Sequence, residues 1–149
     1  MALSKESIQA EAWRMIAQAN PTDRPLVTFV ATTGRMAWLT NLGGFFSAVL
    51  DTFTLLTQRK YTITLTEQAV VFIRTGQVTF KLKNITWVIP WSQAAASLGE
   101  VRIDPMRDRW ITFKLPGRRT ANRLTADRQF DGEMRYFVSM LTNPGQMGG

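Results

Sequence analysis

This chain contains no cysteine and no histidine. The first absence excludes a disulfide framework, a thiolate metal site and a thiol nucleophile. The second removes the commonest general base and the commonest metal ligand. A Ser–His–Asp triad is therefore excluded, and a zinc site would have to rest on carboxylates alone, which zinc sites rarely do. Acidic residues number 11 and are scattered. Glu67 falls in an expected turn, and Asp104 and Asp108 flank another, where solvated turn residues are ordinary. No glycine-rich dinucleotide loop, Walker-type loop or EF-hand loop is found. The expectation is that the chain is not an enzyme and carries no cofactor and no metal.

The 149 residues fit one domain, and a chain of that size buries roughly 70% of its unfolded surface. Against the 11 acids stand 18 lysines and arginines, a net charge of +7. That balance favours acidic partners of any kind: nucleic acid, anionic lipid or an acidic protein face.

Ser4 is placed to cap a first helix, with Leu3 and Ile8 as a hydrophobic staple. Ile8, Ala12, Met15, Ile16 and Ala19 form its apolar stripe, and Asn20-Pro21 ends it. Glu6 and Glu11 interrupt this stretch, so it does not read as a secretory signal. After a linker over 21–25, LVTFVA at 26–31 reads as a short buried segment, an extra strand.

Residues 36–57 are largely apolar and flanked by Arg35 on one side and by Arg59 and Lys60 on the other. The length approaches the ~20 residues of a membrane span. Asp51 lies inside it, and an acid at mid-bilayer costs roughly 3 kcal/mol on insertion scales. Thr40, Ser47, Asp51 and Thr54 fall on one helical face. Trp38, Leu42, Phe45, Val49, Phe53 and Leu56 fall on the other, with Phe46 beside them. The spacing predicts an amphipathic helix that packs on its own domain, lies in a membrane interface or binds a partner.

From Tyr61 onward the period changes to two. Tyr61, Ile63 and Leu65 alternate with threonines; Val78, Phe80 and Leu82, then Ile85, Trp87 and Ile89, repeat the pattern. Strands are expected over 61–65, 69–74, 77–82, 85–89, 100–104, 109–115 and 118–124, with turns at Thr75-Gly76, Lys83-Asn84 and Pro116-Gly117. A helical turn is expected at 93–96. Phe130, Met134, Phe137, Val138 and Leu141 then mark a last amphipathic helix from Asp127 or Asp131, stopped by Asn143-Pro144-Gly145.

Three stretches carry a family resemblance: RKYTITLTEQAVVFIR, NITWVIPWSQA and RWITFKLPGRRTANRL. Strands with a break after the fourth, then one helix, resemble the bacterial pleckstrin-homology-like (PH-like) domains. The resemblance spans about 59–141. It implies an α+β fold: a seven-stranded, two-sheet barrel capped by a C-terminal helix. The expected organisation is an N-terminal helical extension over 1–58, the barrel and capping helix over 59–142, and a flexible tail over 143–149.

The resemblance also implies binding rather than catalysis. Family binding surfaces gather at the first, third and sixth inter-strand turns, which by position are 66–68, 83–84 and 116–119. Lys81, Lys83, Arg118 and Arg119 are thus the candidates for an anionic ligand. The first turn carries Glu67 and lacks the basic cluster of phosphoinositide-binding relatives.

The leading expectation is a binding and assembly module working through protein–protein contacts or self-association. The alternative is a peripheral membrane module taking anionic lipid through its basic turns and the 36–57 helix. Trp38, Leu42, Phe45, Phe46, Phe53, Arg59 and Lys60 are the contact candidates for either. The expected location is the cytoplasm, with the inner face of the membrane as the alternative. Trp110 near Arg118 and Arg119 offers a basic–aromatic surface, yet without an RNP-like motif or basic recognition helix the sequence speaks against a nucleic-acid partner.

Overall fold

A computed structural model describes residues 4–33, 59–76, 81–103, 109–117, 121–126 and 128–142. Helix α1 (Lys5–Ala19) begins where the capping rule places it. The Ser4 side chain accepts from the Ser7 amide at 3.1 Å, and the Asn20 amide closes the last turn on the Ile16 carbonyl. The chain continues into β1 (Pro25–Thr33), β2 (Lys60–Thr66), β3 (Ala69–Thr75) and β4 (Leu82–Pro90). A short helix α2 (Trp91–Ser97) leads to β5 (Leu98–Ile103), β6 (Arg109–Phe113) and β7 (Asn122–Ala126). One 3-10 turn (Arg128–Phe130) then opens α3 (Asp131–Thr142).

Among the described residues the seven strands form one antiparallel sheet in the order β4-β3-β2-β1-β7-β6-β5. The α+β class and the closing helix agree with the sequence reading; a closed barrel does not. Among the described residues the two end strands, β4 and β5, do not pair with each other. The connection between them is α2, which packs against both edge strands. Its first amide donates to the Gln68 carbonyl, and its last carbonyl accepts from the Lys114 amide. A helix seated at that corner stands where a closing ladder would run.

Two strand assignments also change. The 26–31 segment, read as an extra strand in the helical extension, is the middle strand of the sheet, which therefore begins at Pro25 and not at 59. Its two faces are both covered, so Val27 to Ala31 are all buried and show no polar–apolar alternation. Lys83 and Asn84 do not form a turn: both lie within β4, where a register shift between Arg74 and Thr75 absorbs the extra residue. The residues expected as a turn belong to one irregular strand. The expected 36–57 helix, the first part of the 77–82 strand, and the 143–149 tail lie outside the described residues.

The two faces of the sheet are packed differently. The inner face carries Val27, Phe29, Tyr61, Ile63, Leu65, Val70, Phe72, Ile111, Phe113 and Leu124, the main core. Against it lies α3, whose Phe137 meets Phe29 edge-on at 5.0 Å between ring centroids. Arg109 Nε donates to the Asp131 carboxylate at 2.8 Å and ties the start of α3 to β6. The helix thus covers the inner face of the sheet.

The outer face over β1 and β2 lies under α1, which buries Ile8, Ala12 and Ile16 there. Threonines share that face with Val30, Val71 and Ile73. Thr28, Thr62, Thr64, Thr66 and Thr75 are all buried, and they are satisfied by one another and by their neighbours. Thr28 and Thr64 share a 2.9 Å hydrogen bond, as do Thr62 and Thr75 at 2.8 Å. Thr66 closes the β2–β3 turn by accepting from the Ala69 amide and donating to Asp23. Pairing each hydroxyl avoids the cost of a buried orphan, about 1–3 kcal/mol apiece.

Candidate functional site

The ends of the strands decide which cations can act together. Lys60 faces Thr75 across β2 and β3, and Thr75 faces Leu82 across β3 and β4. Arg59, Lys60, Arg74, Lys81 and Lys83 therefore gather at one end of the sheet. Hydrogen bonds hold that end: the Thr33 amide and hydroxyl both donate to the Arg59 carbonyl, the Arg59 amide donates to the Thr33 hydroxyl, and the Gly76 amide donates to the Lys81 carbonyl. Arg74, missed as a candidate, belongs with the expected pair Lys81 and Lys83, because it sits directly opposite Asn84 in β4. Arg59, Arg74 and Lys83 have no ion pair among the described residues.

The 66–68 turn does not join this group. It lies at the other end of β2 and β3, so the three turns expected to form one mouth do not converge. Glu67 there pairs with Arg24 at 3.8 Å, both side chains exposed. Arg118, Arg119, Trp38, Leu42, Phe45, Phe46 and Phe53 lie outside the described residues. Of the other tryptophans, half-buried Trp87 packs against the core beside Tyr61 and Phe72, and Trp91 donates its indole N–H to the Thr66 carbonyl at 2.6 Å.

A second surface is the outer face over β5, β6 and β7. The register sets Arg102, Trp110 and Thr125 in one row and Thr112 and Arg123 in the next. No helix of the described residues covers it: Arg102, Arg123 and Thr125 are exposed on the same face that is fully buried at Thr28 and Thr64. The Arg123 guanidinium sits 4.1 Å from the centre of the Trp110 ring, a cation–π contact. Trp110 thus meets Arg123, a partner the sequence reading did not name.

The third feature is the β5 edge. This strand ends the sheet and is its most exposed one, with only Leu98 and Ile103 half-buried. Val101 is 41% exposed although its cross-strand partner Ile111 is fully buried. A bulge shapes the strand, since Gly99 and Glu100 together oppose Thr112. The Glu100 amide donates to Thr112 Oγ1 at 2.7 Å, and a Cβ on Gly99 would stand 2.4 Å from that oxygen.

Among the described residues, no group of acidic side chains could hold a metal ion, and no helix is long and apolar enough to cross a membrane. One shallow, open depression of about 320 Å³ lies between α2 and the β6–β7 turn, lined by Ile89, Gln93, Ser97, Lys114 and Leu115. Its lining holds no convergent acid–base pair. Comparison with protein families, characterised proteins and solved structures returns no match.

Proposed function

We propose that this chain is a non-catalytic binding and assembly module of the PH-like kind, acting through protein–protein contacts at its β5 edge. The strand order and the single closing helix support the PH-like part of this reading. The observation that carries the function is the open sheet. Among the described residues this terminal strand, with its exposed valine, has no strand on its outer side, and such edges accept an added strand from a partner. The test is a photo-crosslinking residue at Val101 in the full chain, made in its own cells, with the same residue at exposed Gln18 on α1 as control. The expected result is a discrete protein adduct from position 101 alone. Equal adducts from both positions, or none, overturn the reading.

A second reading is attachment to an anionic membrane surface. It is supported by the basic end of the sheet, where Arg59, Arg74 and Lys83 are exposed. Thr33 and Arg59, which flank in sequence the apolar stretch holding Trp38, Phe45, Phe46 and Phe53, lie at that same end. Each basic residue near an anionic leaflet is worth about 1 kcal/mol. Sedimentation with phosphatidylserine-containing vesicles at rising salt tests it, and absence of pelleting at low salt removes it.

A further inference from the structure

The exposed part of β5 reads Gly99-Glu100-Val101-Arg102. Arg102 lies on the outer face with Trp110, Val101 on the inner face with Ile111, and strand alternation returns Glu100 to the outer side. Neither Glu100 nor Arg102 has an ion-pair partner among the described residues. Most other acids of the described elements are matched within the chain: Glu11 with Arg14, Asp131 with Arg109, Glu133 with Lys5, and Glu67 with Arg24. The edge thus holds one acid and one base, spaced two residues apart, on either side of an exposed valine.

We propose that the occupant of this edge is a second copy of the chain, paired β5 to β5 in antiparallel register about a two-fold axis at Val101. An antiparallel strand pair centred on Val101 sets Arg102 of each copy opposite Glu100 of the other. The two valines then meet on the inner side. Such a contact is isologous, so each favourable pair occurs twice. Cross-strand opposite charges stabilise a ladder, and like charges directly opposite oppose it. A parallel pairing, or a shift by one residue, loses this match and moves Val101 to the wrong face. The contact continues the seven-stranded sheet into a second one and covers the exposed end. It rests on the β5-edge reading above and names the partner.

The charge pattern supplies the test. Full-length protein is measured by sedimentation velocity over a concentration series, with circular dichroism confirming the fold of each variant at these exposed positions. The wild type is expected to form a dimer that weakens with salt. Glu100→Arg alone sets arginine against arginine, and Arg102→Glu alone sets glutamate against glutamate. Each is expected to weaken dimerisation by about tenfold or more. Mixing the two single variants is expected to restore a heterodimer, and the double exchange Glu100→Arg/Arg102→Glu to restore the homodimer. A wild type that stays monomeric at its highest soluble concentration overturns the pairing. So does a dimer indifferent to both reversals, or a mixture that fails to associate. If the wild type is monomeric while Val101 crosslinks to a different protein, the pairing fails and the β5-edge reading stands. If there is neither dimer nor adduct, both fail.

Discussion

Phe72 on β3 and Phe113 on β6 lie with ring centroids 5.6 Å apart, although β2, β1 and β7 separate their strands in the sheet. The sheet therefore curls until its inner face meets itself, without joining its edges. Tyr61 and Trp87 complete the ring cluster, at 5.8 and 5.7 Å from Phe72. Phe72→Ala and Phe113→Ala are each expected to cost about 3–5 kcal/mol in urea unfolding. The double variant should fall short of additivity by about 0.5–3 kcal/mol. Strict additivity would mean that the two halves of the sheet do not touch there.

The threonine face makes a different prediction. Trp13 on α1 donates its indole N–H to Thr28 Oγ1 at 2.8 Å, and Thr28 shares its other bond with buried Thr64. Thr28→Val removes both, and Thr64 keeps a buried hydroxyl with no partner. The expected loss is about 1–3 kcal/mol. Replacing both threonines by valine should recover part of it, since the orphan hydroxyl is gone. Thermal unfolding of the two single variants and the double variant decides this.

Gly99 is expected to tolerate no side chain. An added Cβ would sit 2.4 Å from Thr112 Oγ1, and that oxygen is held by the Glu100 amide. Gly99→Ala should therefore lower stability by about 1–3 kcal/mol through overpacking. Gly99→Ala with Thr112→Ala should relieve the clash and lose only the bulge hydrogen bond. Denaturation midpoints of the three proteins would show whether the bulge is held in this way.

One carboxyl should titrate unusually low. The Arg14 guanidinium donates to Glu11 and holds its carboxyl below the ordinary carboxylate range, aided by the charge attraction. A lowered value in the folded state gives stability that is present above the unfolded value and lost as pH falls through the lowered one. Both groups are exposed, so the effect on stability is small and the sign is read best by NMR. Arg14→Gln should return the Glu11 midpoint upward to the ordinary range; an unmoved midpoint would show the pair does not form in solution.

Much of the local structure was legible in the residues. Ser4 and Asn20 bracket α1 because capping is a local hydrogen-bond matter. The pair β2 and β3 stands where Tyr61, Ile63 and Leu65 alternate with threonines, and α3 follows the spacing of Met134, Phe137 and Leu141. The candidate surfaces were less legible. Arg74 joins Lys81 and Lys83, and Arg123 joins Trp110, only through cross-strand register, which no spacing along the chain reveals. Trp87, Trp91 and Trp110 are all half-buried; what separates them is that the first two pack against the core while Trp110 meets Arg123.

By itself the sequence determined what this protein lacks and how its pieces begin and end: no imidazole, no thiol, helices with their caps, strands with their period. Those are consequences of side-chain chemistry and of nearest neighbours. Only the tertiary structure decided that residues 25–33 form the middle of the sheet, that the sheet curls without closing, and that Glu100-Val101-Arg102 is left on its edge. Each of these depends on which surfaces are covered from outside the strand itself. A strand buried on both faces loses the alternation that identifies it, and an edge differs from a centre only by the partner it lacks.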